Sequence, residues 1–274
     1  MAGKLIQQTN ATLDILEEQQ LKVGSKWIDL KDHLEKYESK EYRAKDIEKI
    51  DITKLEKTTS CRISIIPCGS GDVAFLNDFK DTKVCVLNFA SSKNPGGGFM
   101  TGAKAQEEDL CYHSNLYPAL CEHKKFYEYN RNHIENCLYS DGIIYTSDIC
   151  FFRYHFRNMN PVLVNVITCA APNKGQALKC GVNSKVIDET MTRRLEQIMK
   201  VAIENGDKTL VLGAFGCGVF KNDINYVAME IKKLLANKGY IKYFDNIVIP
   251  TLDKGKTYEV FKNTFRGLPN LVLG

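Results

Sequence analysis

Gln106-Glu107-Glu108 sets two carboxylates side by side where a polar, glycine-rich loop turns into a helical pattern. Neighbouring helix positions do not share a face, so the two side chains diverge from the helix start. A carboxyl whose pKa is raised by partial burial and by a second negative charge can give a proton to a leaving group and take one back from water. Acids in a first turn also match the helix dipole on a solvated surface, so the triplet alone fits either role. Ahead of it runs Asn88-Phe-Ala-Ser-Ser-Lys-Asn-Pro-Gly-Gly-Gly-Phe-Met-Thr-Gly-Ala-Lys-Ala-Gln-Glu-Glu108. Its glycines Gly96 to Gly98 permit backbone torsions and a close ligand approach that side chains would block, though a lone cluster of this kind also describes a flexible turn.

A second loop, Leu212-Gly-Ala-Phe-Gly-Cys-Gly-Val-Phe-Lys-Asn-Asp223, follows an apolar run and precedes an amphipathic pattern that Asn222 or Asp223 can cap. Glycine-rich backbone before a helix offers free N–H donors and a favourable dipole to phosphate. The spacing fits neither a Walker loop nor a GxGxxG fingerprint. Two such loops suggest one elongated, phosphate-bearing ligand held between them. The small residues Thr168-Cys-Ala-Ala-Pro-Asn173 form a third stretch of the same kind, which suits either a cleft wall or a tight strand end.

These loops need a scaffold, and the hydrophobic pattern supplies one. Strands are expected at Cys61–Pro67, Lys83–Phe89, Gly142–Thr146, Val162–Cys169, Thr209–Gly213 and Asn246–Ile249. Helices are expected at Ser184–Glu204, at Asn222–Asn237, and from Gln106 into the Leu116 region. Strands alternating with helices imply a three-layer α/β/α domain around a largely buried sheet. The first fifty-odd residues differ: a helical stripe through Leu5, Thr9, Leu13, Ile15 and Leu16, a hairpin about Gly24-Ser25, and a second helix through Leu30, Leu34 and Tyr37. They predict a helical extension over 1–55, packed on a core over 56–274.

The remaining signals exclude more than they add. The chain has 274 residues, 44% of them apolar and 26% charged, the composition of an ordinary globular protein. No stretch approaches the ~20 uncharged apolar residues of a membrane span, and Met1–Asn10 is polar rather than signal-like. Ten cysteines, with no CxxC pair and several in strand-like runs, read as reduced thiols of a cytoplasmic protein. The net charge of +4 is spread along the chain, without the concentrated basic face of a nucleic-acid footprint. His113, His123 and His133 stand ten apart, which is no metal-ligand spacing on one helix face, so neither metal nor cofactor is expected. Cys150-Phe-Phe-Arg-Tyr-His-Phe-Arg157 predicts an amphipathic or edge strand with its rings on the core.

Gly96-Gly97-Gly98, seven residues, then Gln106-Glu107-Glu108 resembles the signature of poly(ADP-ribose) glycohydrolases, and the flanking Pro95 and Ala105 are similar to the microbial branch of that family. Gly213-Ala-Phe-Gly-Cys-Gly-Val-Phe220 resembles that branch's diphosphate loop, and Ala11-Thr-Leu-Asp-Ile-Leu-Glu17 its helical extension, so the likeness covers most of the chain. It implies a macrodomain-type α/β/α core with a mixed sheet. It also implies hydrolysis of the ribose–ribose bond of poly(ADP-ribose), from chain ends, with release of ADP-ribose. Glu108 would be the acid and then the base, with Glu107 on the ribose hydroxyls. Asn94, Gly97, Gly98 and Gln106 would lie on the ribose side, Gly216, Cys217, Gly218 and Val219 around the diphosphate, and Phe220 on the distal ribose. Two alternatives stay open: removal of single ADP-ribose units from protein or nucleic acid, and binding of ADP-ribose without cleavage. Nucleic acid enters only if it carries the modification, and no membrane partner is expected.

Overall fold

Short runs of apolar and β-branched residues form strands whose alternate side chains enter two separate cores. The computed structural model describes residues 2–79, 81–134 and 136–274; Met1, the first residue of the polar N-terminal stretch, lies outside them. In chain order the strands are β1 (Gln20–Val23), β2 (Lys26–Asp29), β3 (Ser39–Tyr42), β4 (Arg62–Pro67), β5 (Val84–Phe89), β6 (Ile143–Tyr154), β7 (Arg157–Cys169), β8 (Thr209–Val211), β9 (Asn246–Thr251) and β10 (Leu271–Leu273). β1 and β2 make a hairpin, and the other eight make one sheet in the order β10-β4-β9-β8-β5-β7-β6-β3. Neighbours from β10 to β7 are parallel. β6 runs antiparallel to β7, and β3 antiparallel to β6.

The period of two along a strand sorts the cores. Cys85 and Leu87 of β5 join Ile63, Ile167 and Ile247 under the helices Ser184–Glu204, Ile224–Ala236 and Lys256–Phe265. Val84 and Val86 point the other way, into a core closed by Leu110 and Cys111 of the helix Gln106–His113, with Leu116, Leu120 and Tyr127 of the two helices after it. A smaller cluster, Leu21, Leu30 and Leu34 against Cys150 and Phe152, docks the hairpin onto the β6–β7 ribbon. This is the expected three-layer α/β/α arrangement with a mixed sheet. Among the described residues, no helix is long and apolar enough to cross a membrane.

Several local expectations change. The helix through Leu30 and Leu34 ends at Leu34, short of Tyr37. The chain then extends into edge strand β3, because Tyr42 buries itself beside β6 while Lys40 and Glu41 stay in solvent. Helical pattern from Gln106 to Leu116 breaks at Ser114, which leaves the helix to bridge Phe151 of β6. The aromatic segment ends the twelve-residue β6, where β7 pairs one side and beyond β3's register the other side meets only the Ser114–Phe151 bridge, while Phe151 and Phe152 enter different cores. The helix Ile224–Ala236 is capped by Asp223, whose side chain accepts from the Asn225 amide.

Candidate active site

Adjacency of three strands assembles the site. β5 lies between β8 and β7, parallel to both, so the loops leaving their carboxyl ends emerge side by side, where α/β sheets hold ligands. These are the Ala90–Ala105 loop, the Leu212–Asn222 loop and the Ala170–Asn173 turn. They touch through side chains at their roots. Phe89 meets Phe215 edge-on at 5.8 Å, and Asn222 donates to the carbonyls of Pro172 and Gly216, each at 2.9 Å.

The carboxylate pair is buried, with Glu107 only 3% and Glu108 7% exposed. Glu107 is held at both oxygens: Oε2 accepts from the Ser91 amide at 2.6 Å, and Oε1 from the Asn88 side chain at 3.3 Å. Asn88 also donates to Thr168 Oγ1 at 3.2 Å, joining β5 to β7 beneath the site. Burial pushes the Glu107 carboxyl up to about 8, against these donors and with a smaller contribution from the neighbouring Glu108 charge. Glu108 is held at one oxygen alone. Its Oε1 accepts from the Gly98 amide at 2.7 Å, while its buried Oε2 has no hydrogen-bond partner among the described residues.

The glycine turn exists to make that contact. Gly97 has φ +58°, and a Cβ there would stand 2.5 Å from Glu108 Oε1 and 3.0 Å from Glu107 Oε2. Only glycine brings main chain this close to two carboxyls. Asn94 is exposed at the mouth of the turn, and its carbonyl accepts from the Gly97 amide. The Gln106 side chain bonds β5 at both ends: it accepts from the Phe89 amide and donates to the Leu87 carbonyl, each at 2.8 Å. It therefore fixes the start of the helix Gln106–His113 on the sheet, with both polar atoms of its amide taken by the β5 backbone.

The second loop has the form of an anion cradle. Amides of Gly216, Gly218, Val219 and Phe220 donate to no acceptor among the described residues. Gly216 is left-handed at φ +70°, and a side chain there would strike Ala171. Successive free amides around such a turn bind phosphate oxygens. Val219 is 81% exposed at the tip. Burial pushes the Cys217 thiol up to about 12, with the Asp223 charge adding to the effect, which disfavours the thiolate that a nucleophile needs.

Two residues that sequence alone did not single out complete the far wall. Tyr139, in a left-handed conformation, tilts against Phe220 with centroids 6.2 Å apart. Arg194, fully buried on the long helix, holds the Tyr139 carbonyl at 3.0 Å, the Leu138 carbonyl at 2.5 Å, the Ala170 carbonyl and Asp141. Its register in the apolar stripe is the one available signal, since a buried arginine must find acceptors.

A mixed sheet between helical layers, with a buried carboxylate pair at a helix start and an amide cradle on the neighbouring loop, defines a macrodomain-type α/β protein. The sequence model described as microbial-type PARG, catalytic domain, where PARG is poly(ADP-ribose) glycohydrolase, matches residues 9–154, and the chain belongs to that family. It is similar to the poly(ADP-ribose) glycohydrolase of Thermomonospora curvata, at 29% identity and a TM-score of 0.88 over 96% of this chain and all of that one. The structure of the same bacterial enzyme bound to the inhibitor ADP-HPD aligns with a TM-score of 0.86, again at 29% identity over 96% of this chain and 100% of that one. The Deinococcus radiodurans enzyme in complex with ADP-ribose aligns at 31% identity and a TM-score of 0.75, covering 84% of this chain and 95% of that one. No curated protein matches the chain.

Proposed function

We propose that the protein hydrolyses the ribose–ribose O-glycosidic bond of poly(ADP-ribose) and releases ADP-ribose from chain ends. The observation that carries this reading is the unequal hold on the two carboxyls. Glu107 is engaged at both oxygens, whereas Glu108 is fixed at Oε1 and keeps Oε2 without a protein partner. A proton on Glu108 Oε2 passes to the bridging oxygen as its bond to the anomeric carbon breaks, and the ribose passes through an oxocarbenium-like state. Water adds to the anomeric carbon and returns its proton to Glu108, which ends as it began. Ordinary glycosidases set a second carboxylate across the bond. Here the substrate's own diphosphate, seated on the free amides of Gly216 and of Gly218 to Phe220, supplies negative charge near the developing cation.

The ADP portion lies between the amide cradle and the Tyr139–Phe220 wall. All ten thiols are unpaired, which suits a reducing cytoplasm, where we place the reaction. Release of ADP-ribose is to be measured from polymer, from mono-modified protein and from modified nucleic acid, with wild type and Glu108→Gln side by side. Wild type is expected to act on polymer, and Glu108→Gln to lose turnover by about a thousandfold or more while its ADP-ribose Kd is kept. Wild-type binding without turnover on all three substrates makes the protein a reader. Turnover on mono-modified acceptors alone moves the leaving group from polymer to acceptor.

A further inference from the structure

The N-terminal helix Ala2–Glu18 reaches the catalytic loop through two buried threonines. Thr9 is 1% exposed, and its hydroxyl lies 2.8 Å from the Phe99 carbonyl, nearer than the 3.2 Å to Leu5 in its own helix. Phe99 follows Gly98, whose amide holds Glu108 Oε1 and whose carbonyl accepts from the Ala103 amide at 3.1 Å. The Thr9 hydroxyl therefore holds the Phe99–Met100 peptide, two along from the Gly97–Gly98 peptide whose amide positions the acid. Tyr112 closes the same loop from the other side, its hydroxyl donating to the Ala103 carbonyl at 2.8 Å and its ring packing against Phe99.

Farther along the helix, Thr12 Oγ1 donates to the Tyr112 carbonyl at 2.8 Å and accepts from Arg153 Nη1 at 2.8 Å. Arg153 is buried on β6 and meets only neutral acceptors, namely Thr12, Asn158 and the carbonyls of Tyr112 and Gln8. It forms no ion pair among the described residues. A buried cation without an anion opposes folding, and the Tyr112 carbonyl at the negative end of the catalytic helix offsets part of that cost. One network thus ties the N-terminal helix to both ends of the segment that carries Glu108.

We infer that Thr9 is a positioning residue for the reaction: its hydroxyl fixes the Gly98–Phe99 turn and, through the Gly98 amide, the orientation of the Glu108 carboxyl, while Thr12 and Arg153 anchor the same helix. This rests on the reading of Glu108 as the acid. The test measures kcat on poly(ADP-ribose) and the Kd of ADP-ribose for wild type, Thr9→Val and Thr9→Ser. Thr9→Val keeps the shape and removes the hydroxyl, and its kcat is expected to fall about tenfold to a hundredfold. Its ADP-ribose Kd is expected to stay within about twofold, the split that marks an interaction realised in the transition state. Thr9→Ser is expected to recover most of the lost kcat. If Thr9→Val melts below the assay temperature, Thr9→Ala is read by the same two numbers. A valine variant with unchanged kcat, a joint loss of kcat and ADP-ribose affinity, or failure of serine to rescue overturns the inference. An inactive wild type overturns the reading of the activity itself, and the inference with it.

Discussion

Gly97 shows how little room the chemistry leaves at single positions. Its Cβ-less, left-handed backbone touches the space of both Glu107 and Glu108. Gly97→Ala adds backbone strain of about 1–3 kcal/mol and drives a methyl group into the Glu108 carboxyl. Turnover is expected to disappear while the fold persists, which circular dichroism and a progress curve on the same sample will check. Glu107 supplies a different handle, because its folded pKa of about 8 stands above the 4.5 of an ordinary glutamate. Between those values the folded protein keeps a proton that the unfolded chain releases. Its contribution to stability is therefore complete at low pH, falls as pH rises through that window, and is lost above it. Glu107→Gln stays neutral throughout, so its melting temperature relative to wild type is expected to rise between about pH 5 and about pH 9. A flat difference would place the buried charge elsewhere.

At the scale of elements, loops leave the sheet where strands end and are held by residues distant in sequence. Arg194 is the clearest case, bonding three carbonyls and Asp141 from a fully buried position. At Asp141 burial acts to raise the pKa, but the Arg193 hydrogen bond and the charges of both arginines outweigh it and lower the pKa. Arg194→Met removes those donors and is expected to cost roughly 3–5 kcal/mol. ADP-ribose binding should weaken as the Tyr139 wall loosens, and urea unfolding with calorimetric titration will separate the two effects. This also explains what could be read in advance. The main strands, the two long helices and the glycine loops announce themselves through local periodicity and turn chemistry. Tyr139, Asn88 and Arg194 owe their roles to partners many residues away, and no local pattern encodes those. Edge strand β3 escaped because Tyr42 is its one buried side chain, and a single residue defines no period. Gln106 was legible as part of the motif, but its role was not: only the β5 backbone reveals why an amide must stand there.

For the molecule as a whole, the division into extension and core is one of sequence style more than of structure. Residues 2–55 supply an edge strand to the main sheet, a hairpin to the β6–β7 ribbon and the threonines that hold Phe99 and Tyr112. The family match likewise begins at residue 9, within the first helix, and runs across the expected boundary. Removing residues 1–18 is therefore expected to lower turnover more than removal of a detachable arm would, because the core that Leu5 and Leu13 pack against loses its cover. Expression of the shortened chain and a single-turnover assay will check this.

Strand order has a consequence for the making of the protein. β5, which leads into the glycine loop ahead of Glu107 and Glu108, is flanked by β7 and β8, both far downstream of it in the chain. Contacts between distant segments form late, because loop closure must come first. A ribosome that has released everything through Glu108 has produced both carboxyls but no cleft. Recognition of ADP-ribose is expected to arise only after Val211 and the cradle behind it have emerged, and in refolding to follow the slowest phase that completes the sheet.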